Sequence, residues 1–126
     1  MMRLLLDTHI FLWAVTADAS LKAPMRRTLE EADEVYVSAA SIWEIAIKSR
    51  LGKIEVDANL LADEITEAGF RELPISARHA AGVAKLPLHH ADPFDRLLIA
   101  QAIAEPLKLL TADKSLARYS EMILVV

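Results

Sequence analysis

Short apolar runs alternate with amphipathic stretches along the whole chain. "RLLLD" (3–7) sets three leucines in a row, the pattern of a strand buried on both faces rather than one. "EVYVS" (34–38) is β-branched and aromatic, and "FRELPI" (70–75) carries a proline suited to an edge strand. "LKLLT" (107–111) and "MILVV" (122–126) complete a set of five predicted strands.

Between them the spacing predicts helices. "IFLWAV" begins the first, and "TADAS" breaks it. A second runs over 20–32 with Ser20 as its N-cap, and Ser38 caps "AASIWEIAIKSR", which stops at Gly52. Asp57 caps a helix over 57–69 that ends at Gly69. "SARHAAGVAKL" is helical, "PLHHADP" is a loop, and "FDRLLIAQAIA" is a helix followed by Pro106. "ADKSLARY" is a short helix before the last strand. This alternation implies an α/β fold built on a parallel sheet flanked by helices. Ligands of such sheets bind outside the carboxyl ends of the strands. Asp7 stands at the end of the first strand, and "TAD" (111–113) follows the apolar "LKLL".

Composition narrows the class. A length of 126 residues suits one domain over 1–126, and a hydrophobic fraction of 54% fills a core and argues against disorder. No apolar run approaches the roughly 18 residues of a membrane span. The N-terminal run lacks a small-residue cleavage site and is not read as a signal peptide. With no cysteine there are no disulfides or thiolate metal sites, which fits a cytoplasmic protein. A net charge of −4 argues mildly against a nucleic-acid partner. It still allows a local basic patch, for which Lys48, Arg50 and Lys53 are the candidates, beside an acidic site that cations neutralise.

Four acids stand out, each with a structural alternative. Asp7 and Asp113 suit helix caps. In "DPFD", Asp92 is a natural N-cap, Pro93 the first helical residue and Asp95 the acidic member of a capping box. Yet Asp95 shares a helix face with Leu98, Ile99 and Ala102, so it follows the buried stripe. Glu44 lies in a helix apolar nearly all round, and its bland explanation is an i,i+4 pair with Lys48. Clustered carboxylates repel one another and persist where a hard cation neutralises them; oxygen ligands of this kind suit Mg²⁺ or Mn²⁺.

The stretches "LLLDTHIFLW", "VYVSAASIWEIAIKSRLGKI", "LPISARHA", "LPLHHADPFDRLLIAQA" and "LLTADKSLARY" resemble, nearly end to end, the PIN-domain ribonucleases, and within them the VapC-type toxins of toxin–antitoxin pairs. The resemblance implies a three-layer α/β/α fold and Mg²⁺- or Mn²⁺-dependent endonucleolytic cleavage of RNA, leaving a 5′-phosphate and a 3′-hydroxyl. It also implies a homodimer and a VapB-like antitoxin that blocks the acidic groove. Asp7, Glu44, Asp95 and Asp113 fall on the family's acidic metal-binding positions, and Thr111 and Asp92 match accessory positions.

Thr8 and Thr111 can orient waters through their hydroxyls, or can cap helices. Arg96 can pair with an acid or touch phosphate, or be an ordinary surface charge. His9, His89 and His90 suggest zinc, but adjacent histidines in a loop rarely share one ion, so loop packing or substrate contact is the better reading of His89 and His90. Trp13 and Trp43 are read as core or dimer residues. Two rivals remain: a phospho-acceptor receiver domain, which lacks a second acid near the first strand here, and a catalytically silent PIN fold that binds RNA or protein.

Overall fold

In the computed structural model, which describes residues 1–126, five parallel strands form one sheet in the order β3-β2-β1-β4-β5. The strands are β1 (Arg3–Leu6), β2 (Glu34–Ser38), β3 (Arg71–Leu73), β4 (Lys108–Thr111) and β5 (Ile123–Val125). Helices α1 (Thr8–Val15) and α2 (Ala23–Glu31) follow β1, and α3 (Ala39–Arg50) and α4 (Ala58–Glu67) follow β2. Helices α5 (Ala77–Gly82) and α6 (Pro93–Ala104) lead to β4. Tight 3-10 turns occupy Val83–Lys85 and Lys114–Tyr119. No helix is long and apolar enough to cross a membrane.

The leucine triplet is explained by the central place of β1. Leu5 pairs with Tyr36 on one side and Leu109 on the other. The pleat sends Leu4 and Leu6 to one face, where they join Val37, Leu110, Phe11 and Ile45. Leu5 points to the opposite face and packs with Leu109, Leu98, Ile99 and Ala102. Both faces are therefore covered by helices, giving three layers, and all three leucines are fully buried.

The glycine stops behave as expected. Gly52 and Gly69 adopt φ of +74° and +83°, which reverse the chain after α3 and α4. Lys53 N–H then donates to Lys48 O, and Phe70 N–H to Ile65 O, both at 2.9 Å. Asp57 caps α4 through Asn59 N–H.

Other expectations need correction. Helix α2 begins at Ala23 with Lys22 in the cap position and no side-chain cap, so Ser20 is not its N-cap. Ser20 N–H is instead taken by Asp18 Oδ1 at 2.8 Å in a turn, and Pro24 marks the true first turn. Strand β3 is only three residues long, at the edge that Pro74 implied. The helix after Ser76 tightens into a 3-10 turn past Gly82, and "KSLARY" is 3-10 rather than α-helical.

The sheet order also decides a rivalry. Strand order 3-2-1-4-5 differs from the 2-1-3-4-5 order of receiver domains, which removes that reading. The order reverses at β1, whose neighbours are β2 and β4. The crevice at such a switch opens at the carboxyl ends of β1 and β4, where Asp7 and Thr111 stand.

Candidate active site

Asp7 follows the last residue of β1 and caps α1. Its Oδ1 accepts Ile10 N–H at 2.9 Å, and its Oδ2 accepts the Thr111 hydroxyl at 2.5 Å. Thr111 Oγ1 in turn accepts Asp113 N–H at 3.0 Å, so one hydroxyl ties the ends of β1 and β4 together. Asp7 is only 6% exposed, and none of these partners is a cation. Burial raises its pKa, the Thr111 bond opposes that shift, and the negative charge of Glu44 adds to it.

Glu44 reaches the same region from α3 and is 3% exposed. Its Oε1 accepts the Thr8 hydroxyl at 2.6 Å, and Thr8 Oγ1 lies 3.0 Å from the Ser41 hydroxyl. Its Oε2 pairs with Lys48 Nζ at 2.7 Å, which holds the ammonium pKa up. The i,i+4 pair is therefore real, yet it uses one oxygen of a carboxylate that also reaches across to α1. Thr8 acts as this cross-brace and not as a cap, since Asp7 caps α1.

Asp92 caps α6 by accepting Asp95 N–H at 2.9 Å. The reciprocal half of a capping box is not made, because the Asp95 side chain turns to His90, with Nε2 2.8 Å from Oδ2. Burial raises the Asp95 pKa; His90 opposes the shift, while Asp92 and Asp7 reinforce it by repulsion. Asp113 caps its 3-10 turn through Ser115 N–H and hydroxyl, and that hydroxyl bond holds its pKa below the ordinary range. Ligand atoms of His90, Asp95 and Asp113 all lie within 4.8 Å of one another.

Cap and ligand are thus not exclusive. An ionised carboxylate offers about four acceptor positions, and a cap bond uses one of them. The two raised carboxyls reflect burial first, with a smaller contribution from repulsion by neighbouring acids. A hard divalent cation among oxygen donors fits such a set.

Other candidates separate. Arg96 contacts no carboxylate and is not a surface charge: it is 9% exposed and donates to the carbonyls of Val83, Leu86, Pro87 and His90. It is a buried clamp on the loop before α6. His89 packs edge-on against Tyr119 and does not share His90's position, so the paired-histidine zinc site does not form. Trp13 packs partly against the core, but Trp43 is 57% exposed, edge-on to Phe94, and is no core residue. Lys48 is engaged by Glu44, which leaves Arg50 and Lys53 as the free members of the expected basic patch. Ser41 was not foreseen as a site residue, and His90 was expected only as loop packing or a substrate contact, not as the partner of Asp95. Ser41 sits one helical turn before Glu44, and His90 depends on a loop closure that no local pattern announces.

Comparison with known proteins agrees with this fold. The PIN domain family profile matches residues 4–122, and the chain belongs to that family, among its VapC-type members. It is 31% identical over 119 residues to Ribonuclease VapC22 of Mycobacterium tuberculosis (strain ATCC 25618 / H37Rv), covering 92% of this chain and 91% of that protein. VapBC2 from Rickettsia felis, solved bound to a DNA fragment of its promoter, superposes with a TM-score of 0.71 at 18% identity, over 99% of this chain and 98% of that one. VapC20 of Mycobacterium tuberculosis, described as a Sarcin-Ricin loop cleaving toxin, gives 0.66 at 15% identity over 94% and 97%. At those identities the two structures speak for the shared fold.

Proposed function

We propose that residues 1–126 act as one metal-dependent endoribonuclease unit, a cytoplasmic toxin that hydrolyses RNA phosphodiester bonds and is restrained by a VapB-like antitoxin. The observation that carries the reading is the convergence of carboxylates, Asp7 and Glu44 buried and Asp95 half-buried, on the switch point of a PIN fold. The identity to a protein named Ribonuclease VapC22 supports the reaction class, and the VapBC2 complex supports the kind of partner.

Asp7, Glu44, Asp95 and Asp113 would hold Mg²⁺ or Mn²⁺. Such an ion, when bound, supplies a lowered water pKa and stabilises charge developing on the phosphate. The chain's own side chains fix the geometry. Thr111 and Ile10 N–H orient Asp7, and Thr8 and Lys48 orient Glu44. Asp92 sets the first turn of α6 and so the approach of Asp95. Attack of water on the phosphorus with rupture of the P–O3′ bond would leave a 5′-phosphate and, once the departing O3′ takes a proton, a 3′-hydroxyl, the ends that the family resemblance implies. A homodimer would place two such sites in one particle. An antitoxin that inserts Arg or Lys among the acids would block them through charge-assisted hydrogen bonds.

Purified protein should therefore cut RNA with Mg²⁺ or Mn²⁺ and stop when EDTA is added, with end mapping showing 5′-phosphates. Undiminished cutting in EDTA would remove the metal from the reaction. RNA binding without cutting under any metal would favour the silent-module alternative.

A further inference from the structure

We propose that His90 is itself a ligand of the cation, its Nε2 joining carboxylate oxygens of Asp95 and Asp113, so that the site favours a first-row transition-metal dication such as Mn²⁺ over Mg²⁺. The inference rests on the metal-dependent reading above and assigns one of its ligands.

The geometry comes first. His90 Nε2 is 2.8 Å from Asp95 Oδ2, and the three residues bring one ligand atom each within 4.8 Å of one another. They come from three separate segments: the loop before α6, the first turn of α6, and the turn after β4. This is one imidazole nitrogen facing two carboxylates, not a purely acidic cluster.

The second observation is how firmly the loop is held. Arg96 Nη1 donates to Pro87 O at 2.9 Å and to His90 O at 3.4 Å. Its Nη2 reaches Val83 O and Leu86 O, each at 3.3 Å. Tyr119, arriving from the far end of the chain, donates its hydroxyl to the same His90 carbonyl at 3.3 Å. A buried guanidinium that gives its donors to four carbonyls of one loop is a strong constraint. It fixes the backbone that presents His90, while His89 is turned to the Tyr119 ring. Arg96 is thus a positioning residue for His90.

Donor chemistry supplies the metal preference. Carboxylates alone suit Mg²⁺, Ca²⁺ and Mn²⁺, whereas imidazole favours the softer first-row dications. An imidazole ligates through Nε2 only with its ring proton on Nδ1, so the bound ion would replace the Nε2–Oδ2 hydrogen bond and hold both atoms itself. Replacing the nitrogen should weaken Mn²⁺ far more than Mg²⁺.

The test uses the full chain, with Mn²⁺ and Mg²⁺ as the probes. Pulsed EPR of the Mn²⁺-loaded protein should show ¹⁴N modulation from a coordinated imidazole, lost in His90→Asn and kept in His9→Asn. Calorimetry should show His90→Asn weakening Mn²⁺ by about 10- to 100-fold and Mg²⁺ by no more than about threefold. Mn²⁺ binding without nitrogen modulation in the wild type would overturn the inference, whatever the stability of the variant. Equal weakening of both ions would also overturn it, leaving His90 as a hydrogen-bond partner of Asp95. If neither ion bound, the metal-dependent reading itself would fall, and the inference with it.

Discussion

Asp7→Asn lowers RNA cleavage by about three orders of magnitude or more, because a buried acid at the end of β1 loses its negative charge. The same substitution raises the melting temperature of the metal-free protein. Asn is as good an N-cap as Asp and still accepts Ile10 N–H, while the cost of burying an anion beside Glu44 disappears. Activity and stability therefore move in opposite directions. A pH series gives the same sign. The folded-state pKa values of Asp7 and Asp95 are both raised, so the folded chain binds protons more readily than the unfolded one. In EDTA, stability from these two groups rises as pH falls through their raised pKa values, and the gain is complete below the ordinary aspartate value of 3.8. The metal-induced gain does the reverse, since protons compete for the same oxygens. Melting curves from about pH 7 down to pH 4, with and without metal, read both effects. An Asp7→Asn protein that melts lower than wild type in EDTA would contradict the crowded-anion description.

Arg96→Ala costs about 3 kcal/mol of folding stability, measured by urea denaturation. The size follows from what is left behind: carbonyls of Val83, Leu86, Pro87 and His90 lose their common donor, and a cavity replaces a buried side chain. Arg96→Lys rescues little of the loss, because an ammonium cannot present a planar fork to carbonyls on several sides. Were Arg96 a surface charge or a phosphate contact, Arg96→Ala would leave stability within about 0.5 kcal/mol and reduce RNA binding instead.

Much of the fold was legible because β1 is buried on both faces and reads as an apolar run, and β4 as one interrupted only by Lys108. Gly52 and Gly69 were legible for a local reason: each supplies a positive φ that other residues resist. Ser20 misled because its neighbour Asp18 captures its N–H, a competition between adjacent turns that a cap rule does not weigh. At the site, the positions of Asp7 and Asp113 at strand ends followed from the βα pattern and the switch-point rule. Glu44 was legible as a charge on an apolar helix. What stayed hidden depends on contacts between distant segments. Thr111 bonds Asp7 across 104 residues, and Arg96 looks like any helix-surface arginine until the loop from Val83 to His90 folds over it. Trp43 illustrates the converse: an apolar helix suggested a core or dimer position, and its side chain lies outside the core of the chain.

Asp95 offers the sharpest separation between a cap and a member of a metal site, through four melting curves of wild type and Asp95→Asn, each in EDTA and in Mn²⁺. A carboxylate crowded by Asp92 and Asp7 predicts that the variant melts at or above wild type in EDTA. It also predicts that Mn²⁺ raises wild type strongly and moves the variant little, since ligand binding to the folded state alone is what stabilises it. A variant that melts lower in EDTA, by the roughly 0.3–1 kcal/mol of a lost helix-start interaction, and that still shifts with Mn²⁺ as far as wild type, would place Asp95 outside the metal site.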